Sequence, residues 1–160
     1  MKTNNMKQII NILTKNNETI SVMESCTGGG VTNAITNIEG ASNVLKFSAV
    51  TYSNEYKIKM GVSQKTIEKY SVYSMETAIE MAKAITKFTN SDIGIGITGK
   101  LNRPDQNNNY GKDNEVFVNI YQKKSKQNHN FHIITTKNTR EENKNIIIEK
   151  IENKLLELLN

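Results

Sequence analysis

Residues 19–31 read Thr19-Ile-Ser-Val-Met-Glu-Ser-Cys-Thr-Gly-Gly-Gly-Val31, and this stretch decides how the fold begins. Its first five residues, 19–23, have the pattern of a short buried strand. Three glycines then interrupt that pattern. Apolar residues return at helical spacing at Val31, Ala34, Ile35 and Ile38. Ser25 therefore lies where a strand passes into a helix, a junction that exposes side chains and backbone N–H groups together.

The chain on either side of this junction alternates helical and strand patterns. An earlier helix is predicted from the spacing of Met6, Ile9, Ile10 and Leu13. Downstream we expect a strand over 47–52, a short helix over 54–60 ended by Gly61, and a second short helix capped by Ser63. A longer helix should begin after Ser74. Its inner side is predicted to carry Ala78, Ile79, Ala82, Ile85 and Phe88.

The remaining patterns complete a mixed sheet. Residues 92–98 read as a central strand, in which Gly94 and Gly96 allow a neighbouring element to pack closely. After an aperiodic stretch, the segments 115–121 and 130–136 predict a hairpin, and 139–142 form a capping box that opens the last helix. We therefore expect an α/β fold, a single three-layer α/β/α domain over 1–160 with a mixed β-sheet.

Composition narrows the functional classes. The 160-residue chain has 21 basic and 16 acidic residues and one cysteine. The lysines are scattered, and the one cluster, Lys123, Lys124 and Lys126, falls at the predicted hairpin tip. We therefore do not expect nucleic acid as a partner. We see no signal peptide and no apolar run of about 20 residues, which a membrane-spanning helix needs. We expect a cytoplasmic protein without a membrane partner.

Several side chains near the junction could carry chemistry. A serine hydroxyl needs a base and a means of stabilising the oxyanion, and backbone N–H groups at a helix start can supply the second. The sequence pattern alone fits two roles of Ser25 equally well, a nucleophile or the cap of a tight turn. Cys26 is the rival nucleophile, although consecutive residues at a strand end face opposite ways. His129 and His132 lie far along the chain, in or beside the hairpin.

Lys57 is a better placed base than either histidine, because it follows closely on the strand that Tyr52 ends. A lysine acts as a base only when neutral. Since the reference pKa of lysine is near 10.4, working near neutral pH requires a lowering of roughly 3 units. On the sequence pattern alone, the simpler interpretation is that Lys57 is a solvated, charged side chain.

The motifs Glu-Ser-Cys-Thr-Gly-Gly at 24–29 and Tyr-Ser-Asn-Glu-x-Lys at 52–57 resemble those of the CinA C-terminal domain family, which includes the nicotinamide-nucleotide amidohydrolases. The resemblance implies deamidation of nicotinamide mononucleotide to nicotinic acid mononucleotide, with no metal and no cofactor. It also implies that Ser25 is the nucleophile, Lys57 its base and Tyr52 a catalytic partner. The substrate-binding residues it implies are Thr27, Gly28, Gly29, Thr98 and Arg140.

Three questions stay open at this point. The role of Glu24 is undecided, because a carboxylate near a helix start is favourable whatever the function. Relatives carry small residues where this chain has Lys100 and Arg103, whose side chains either project over the pocket and contact phosphate or fill it. The alternative function is an inactive domain that binds a nucleotide or a protein. A nucleotide substrate is the expected partner, and a homo-oligomer is compatible with the sequence.

Overall fold

The computed structural model describes residues 4–102, 107 and 111–160. The six helices of this part of the chain are α1 (Asn5–Lys15), α2 (Gly30–Thr36), α3 (Asn54–Lys59), α4 (Gln64–Tyr70), α5 (Met75–Thr89) and α6 (Arg140–Leu159). Its five strands are β1 (Ile20–Glu24), β2 (Ala49–Val50), β3 (Ile93–Gly99), β4 (Glu115–Gln122) and β5 (Gln127–Ile134). A 3₁₀ turn, Ala41–Asn43, lies between α2 and β2.

The strands form one mixed sheet in the order β2-β1-β3-β4-β5. β1 runs parallel to β2 and β3, while β4 and β5 form the antiparallel hairpin expected from their sequences. The parallel pairs bring the carboxyl ends of β1, β2 and β3 to the same edge of the sheet. Ser25 directly follows β1, so this edge positions the candidate site.

Alternate residues of β1 face two separate cores. Val22 belongs to a large core that also contains side chains of α1, α2 and α6. Met23 belongs to a smaller core with Met81 and Ile85 of α5. Because successive strand residues point to opposite faces, helices cover both sides of the sheet, and the predicted three-layer α/β/α architecture is confirmed.

The glycines of β3 let α5 lie against the sheet. Ile95 faces the large core, whereas Gly94 and Gly96 face α5. A Cβ atom on Gly96 would lie 2.7 Å from the backbone nitrogen of Ala82, too close for any side chain. The predicted close approach is therefore present, and α5 is the element that makes it.

Two sequence predictions need correction. Phe88 is 64% exposed, although the helical spacing placed it on the inner side of α5. The helix contacts the sheet through small residues that include Thr86, and Phe88 lies about 200° further around the helix. The strand predicted over 47–52 is only two residues long, because β1 offers it just the pairs Met23↔Ala49 and Glu24↔Val50.

The capping predictions hold in most places. Ser74 and Thr139 accept from the backbone N–H groups of Thr77 and Glu142 at the starts of α5 and α6. Ser63 occupies the N-cap of α4 but makes no side-chain capping bond. None of the described helices is long and apolar enough to cross a membrane.

Candidate active site

Ser25 and Lys57 meet in a buried setting at the carboxyl edge of the sheet. The Lys57 Nζ donates to Ser25 Oγ at 3.0 Å and to the Thr51 carbonyl oxygen at 2.7 Å. Ser25 is 7% exposed and Lys57 2% exposed. A hydroxyl and an amine at this distance can exchange a proton directly.

Backbone pairing explains how residues so far apart in sequence meet. The Thr51 N–H donates to the Glu24 carbonyl at 2.8 Å, which extends the β1–β2 pairing by one residue. Thr51 therefore lies beside the residue that precedes Ser25. Helix α3 then begins after Ser53, whose hydroxyl accepts from the Tyr56 N–H. One turn of this helix returns Lys57 to the strand end.

Glu24 holds the loop that carries Ser25. Its buried carboxylate accepts from the Thr27 hydroxyl at 2.6 Å and the Val31 N–H at 2.9 Å. It also accepts from the N–H and hydroxyl of Thr32 at 3.0 and 2.8 Å. The role of Glu24, open at the level of sequence, is thus to join the Ser25 loop to the start of α2. Nothing in the sequence singled out Thr32.

The same contacts decide which backbone N–H groups around the start of α2 are open to an anion. The N–H groups of Val31 and Thr32 already donate to Glu24, and the Gly28 N–H donates to the Ser25 carbonyl. Within the described part of the chain, the N–H groups of Thr27 and Gly29 have no acceptor. The donors open to a ligand therefore lie in the loop before the helix.

Gly28 and Gly29 shape this loop. Their φ angles are +60° and +98°, a region that glycine enters without steric cost. A Cβ on Gly28 would lie 3.3 Å from the Nζ of Lys144, a residue of α6 that sequence reasoning missed. Its position one helical turn after Arg140 was the available signal.

Tyr52 and Arg140 lie together at the mouth of the site. The Arg140 guanidinium donates to the Tyr52 hydroxyl at 3.1 Å and to the Leu101 carbonyl at 2.6 Å. Tyr52 is 66% exposed. Of the described residues, Arg140 is the one that hydrogen-bonds to the Tyr52 hydroxyl, so the structure joins Tyr52 to Arg140 rather than to Ser25.

The Thr98 hydroxyl is directed at the protein backbone. Thr98 is fully buried, and its hydroxyl donates to the Val72 carbonyl at 2.8 Å. This bond links β3 to the turn before α5. Substrate binding by Thr98 stays a prediction, and the contact seen here is a packing contact.

The rival nucleophile and bases are poorly placed. Burial raises the pKa of the Cys26 thiol to about 12, against smaller opposing effects of Lys57 and Arg140, so the thiol stays protonated. Cys26 also belongs to the large core. His129 and His132 lie on β5, three strands from β1 and so roughly 14 Å away.

The Lys100 side chain is directed at neighbours within the protein, and whether it projects over the pocket or fills it stays a prediction. The side chain is buried, with Nζ 4.0 Å from the Asp113 carboxylate and 4.9 Å from the centre of the Tyr73 ring. The Asp113 carboxylate and the Tyr73 ring stabilise the positive charge of this buried lysine. Arg103, the other residue of that prediction, lies outside the described residues.

Two further observations bear on the location of the site. A groove of about 660 Å³ between α1, α2 and α6 is lined by asparagines, glutamates and apolar side chains, and it contains no nucleophile. Among the described residues, the groove therefore offers no serine, cysteine or lysine as a candidate nucleophile or base. The described residues include no group of three or more side chains able to hold a metal ion.

Comparison with known proteins identifies the family. The CinA-like protein of Kosmotoga olearia is 48% identical over 92 residues, which are 57% of this chain and 22% of that protein. The CinA-like protein of Fervidobacterium nodosum is 46% identical with the same coverage. The chain thus covers about a fifth of the length of these curated relatives.

Solved structures share the fold over almost the whole chain. The competence or damage-inducible protein from Enterobacter asburiae superposes with a TM-score of 0.90 at 20% identity, over 100% of both chains. A CinA superfamily protein from Escherichia coli gives 0.87 at 23% identity, over 99% of this chain and 92% of that one. The family model of the CinA C-terminal domain matches residues 2–159, and the chain therefore belongs to the CinA C-terminal domain family.

Proposed function

We propose that this domain is an amidohydrolase that converts nicotinamide mononucleotide to nicotinic acid mononucleotide through Ser25 and Lys57. The observation that carries the proposal is the 3.0 Å contact between Lys57 Nζ and Ser25 Oγ in a buried setting. Burial disfavours a charged ammonium, so the setting suits a neutral amine that accepts the hydroxyl proton along the same line. Serine needs such a base to become a nucleophile.

The reaction proceeds in two steps, formation of an ester at Ser25 and hydrolysis of that ester. Lys57 takes the Ser25 proton while Oγ attacks the carboxamide carbon, and the tetrahedral intermediate expels ammonia, which leaves with the proton from Lys57. The result is an ester between Ser25 and the nicotinoyl group. Lys57 then takes a proton from water, the hydroxide attacks the ester, and Lys57 returns this proton to Ser25 as the acyl group leaves. The carboxylic acid formed loses its own proton to solvent and departs as the carboxylate.

The loop before α2 supplies the oxyanion donors. The N–H groups of Thr27 and Gly29 are available there, and Glu24 fixes the loop by its contacts to Thr27 and α2. Fixed donors stabilise a developing negative charge more effectively than mobile ones, because they need no reorganisation during the reaction. Tyr52 and Arg140 border the same site and contact the rest of the nucleotide.

Ammonia release from nicotinamide mononucleotide tests the proposal. The wild-type protein should release ammonia, Ser25→Ala should release none, and Cys26→Ala should keep most of the activity, because the buried thiol does not face the substrate. Circular dichroism of each variant controls for folding. Activity that survives Ser25→Ala, or that disappears only in Cys26→Ala, would contradict the assignment.

A non-catalytic binding domain is the second candidate. The observation that favours it is that the match spans 22% of the length of relatives such as the Kosmotoga olearia protein. In those relatives the domain is therefore part of a longer chain, with which it can act. Nicotinamide mononucleotide that binds to the wild-type protein without ammonia release would support it.

A further inference from the structure

Lys144 stands over the glycine loop beside Ser25. It lies on α6 four residues after Arg140, and side chains at this spacing share one face of a helix. The Lys144 Nζ is 3.3 Å from where a Cβ of Gly28 would be. Ile148, a further turn along, approaches Gly30 in the same way, with its Cδ1 3.1 Å from the Cβ position of that glycine. This face of α6 therefore packs along the loop.

The positive charge of Lys144 has no counter-charge in the part of the chain that the structure describes. Among the described residues, Lys144 makes neither an ion pair nor a hydrogen bond. The acceptors of Arg140 within the described ranges are neutral oxygens, those of Leu101 and Tyr52. Lys100, by contrast, is paired with Asp113. A partly buried ammonium with no anionic neighbour is available to bind an anion from solution.

Gly28 leaves the space that such an anion needs. It is exposed, and a side chain at this position would press against Lys144. Two cations one helical turn apart, about 5–6 Å between their Cβ atoms, can both reach one phosphate group. A carboxylate would use this pair less completely than a phosphate, which carries more charge and more acceptor oxygens.

We propose that Lys144, together with Arg140, binds a phosphomonoester dianion above Gly28. The inference rests on the proposed function only in that this anion is then the 5′-phosphate of the mononucleotide substrate. The glycine loop would thereby lie between the phosphate subsite and the reacting carboxamide. Lys144 is a binding residue in this assignment and takes no part in the chemical steps.

Titration of the full chain with inorganic phosphate tests the subsite without any turnover. The variants are Lys144→Met, which keeps the length of the side chain and removes its charge, and Lys144→Arg, which keeps the charge. Lys150→Met, an exposed lysine on the same helix, is the matched control. Chemical shifts of backbone amides report binding, and thermal unfolding verifies that each variant is folded.

We expect Lys144→Met to raise the dissociation constant for phosphate about tenfold, the lower value of a charge-assisted hydrogen bond. Lys144→Arg should restore most of the affinity, and Lys150→Met should change it less than twofold. Wild-type protein that does not bind phosphate, or a Lys144→Met variant that binds as tightly as wild type, would overturn the assignment.

A second arm identifies the source of the phosphate and separates this inference from the proposed function. Nicotinamide mononucleotide should bind more tightly than inorganic phosphate, and Lys144→Met should weaken the mononucleotide about tenfold more than its dephosphorylated nucleoside. Equal losses for the two would contradict the subsite. Phosphate binding that depends on Lys144 in a protein that releases no ammonia would refute the hydrolase and keep the subsite.

Discussion

The contacts of Glu24 predict that replacing one oxygen by nitrogen destabilises the whole domain. Glu24 is fully buried, and its two oxygens accept four hydrogen bonds, two at each oxygen. In Glu24→Gln the amide NH₂ takes the place of one carboxylate oxygen. It is itself a donor, so it cannot accept the two hydrogen bonds that this oxygen accepted. The hydroxyl on that side, of Thr27 or Thr32, can rotate to accept from the NH₂, but the backbone N–H on the same side, of Val31 or Thr32, is left without an acceptor.

The size of the effect follows from the number of bonds. A hydrogen bond to a charged group contributes about 1.5–3 kcal/mol. The substitution removes one such bond outright and weakens the others, because the neutral amide accepts less strongly. The favourable interaction of a carboxylate with the start of α2 is lost as well. We expect the free energy of unfolding to fall by about 3 kcal/mol, which lowers the Tm of a domain of this size by roughly 6–12 °C.

Urea and thermal denaturation followed by circular dichroism measure this change. Glu39→Gln, which removes an exposed carboxylate, is the control and should change the free energy of unfolding by less than about 0.5 kcal/mol. The Glu24→Gln variant should also lose catalytic activity at temperatures where it is still folded, because Glu24 fixes the loop that carries Ser25. A loss of stability below about 1 kcal/mol would refute the reasoning.

Four other predictions follow from the packing of the site and the core. Lys57→Arg should lose at least about 100-fold in ammonia release, because a guanidinium keeps its charge and cannot act as a base; an active variant would exclude the proposed pair. Cys26, with its pKa raised to about 12, should resist iodoacetamide at about pH 8 until urea unfolds the protein, and rapid alkylation of the native protein would contradict the burial. Gly96→Ala should destabilise the fold by about 3 kcal/mol or more in denaturation, whereas Gly30→Ala, which meets only the flexible end of a side chain, should cost less. The Thr51 hydroxyl is buried and has no partner among the described residues, so Thr51→Val should raise the Tm by roughly 2–4 °C. Thr51→Ser is the control that keeps the hydroxyl, and a lower Tm in the valine variant would mean that the hydroxyl is hydrogen-bonded.

Local patterns in the sequence were enough to predict most of the fold. Hydrophobic spacing identified α1, and the capping residues Ser74 and Thr139 marked where α5 and α6 begin. These signals are readable because each depends on residues within a few positions of one another. The two motifs at 24–29 and 52–57 likewise predicted the family, which the match over residues 2–159 confirms.

Contacts between distant segments were beyond the reach of the sequence. The exposure of Phe88 depends on which side of α5 meets the glycines of β3, and hydrophobic spacing alone does not state where a helix touches a sheet. The neighbours of Lys100, Asp113 and the Tyr73 ring, likewise lie on segments that local pattern does not connect to it.

The sequence by itself determined that a serine lies at a strand-to-helix junction and that a lysine follows a nearby strand. Only the tertiary structure decided that the two are 3.0 Å apart across 32 residues, that Glu24 holds the loop between them and α2, and that Lys144 stands over Gly28. The physical reason is that the position of a side chain in space depends on strand pairing and helix packing. Both are collective properties of the whole sheet, whereas the sequence pattern records only the local preference of each segment.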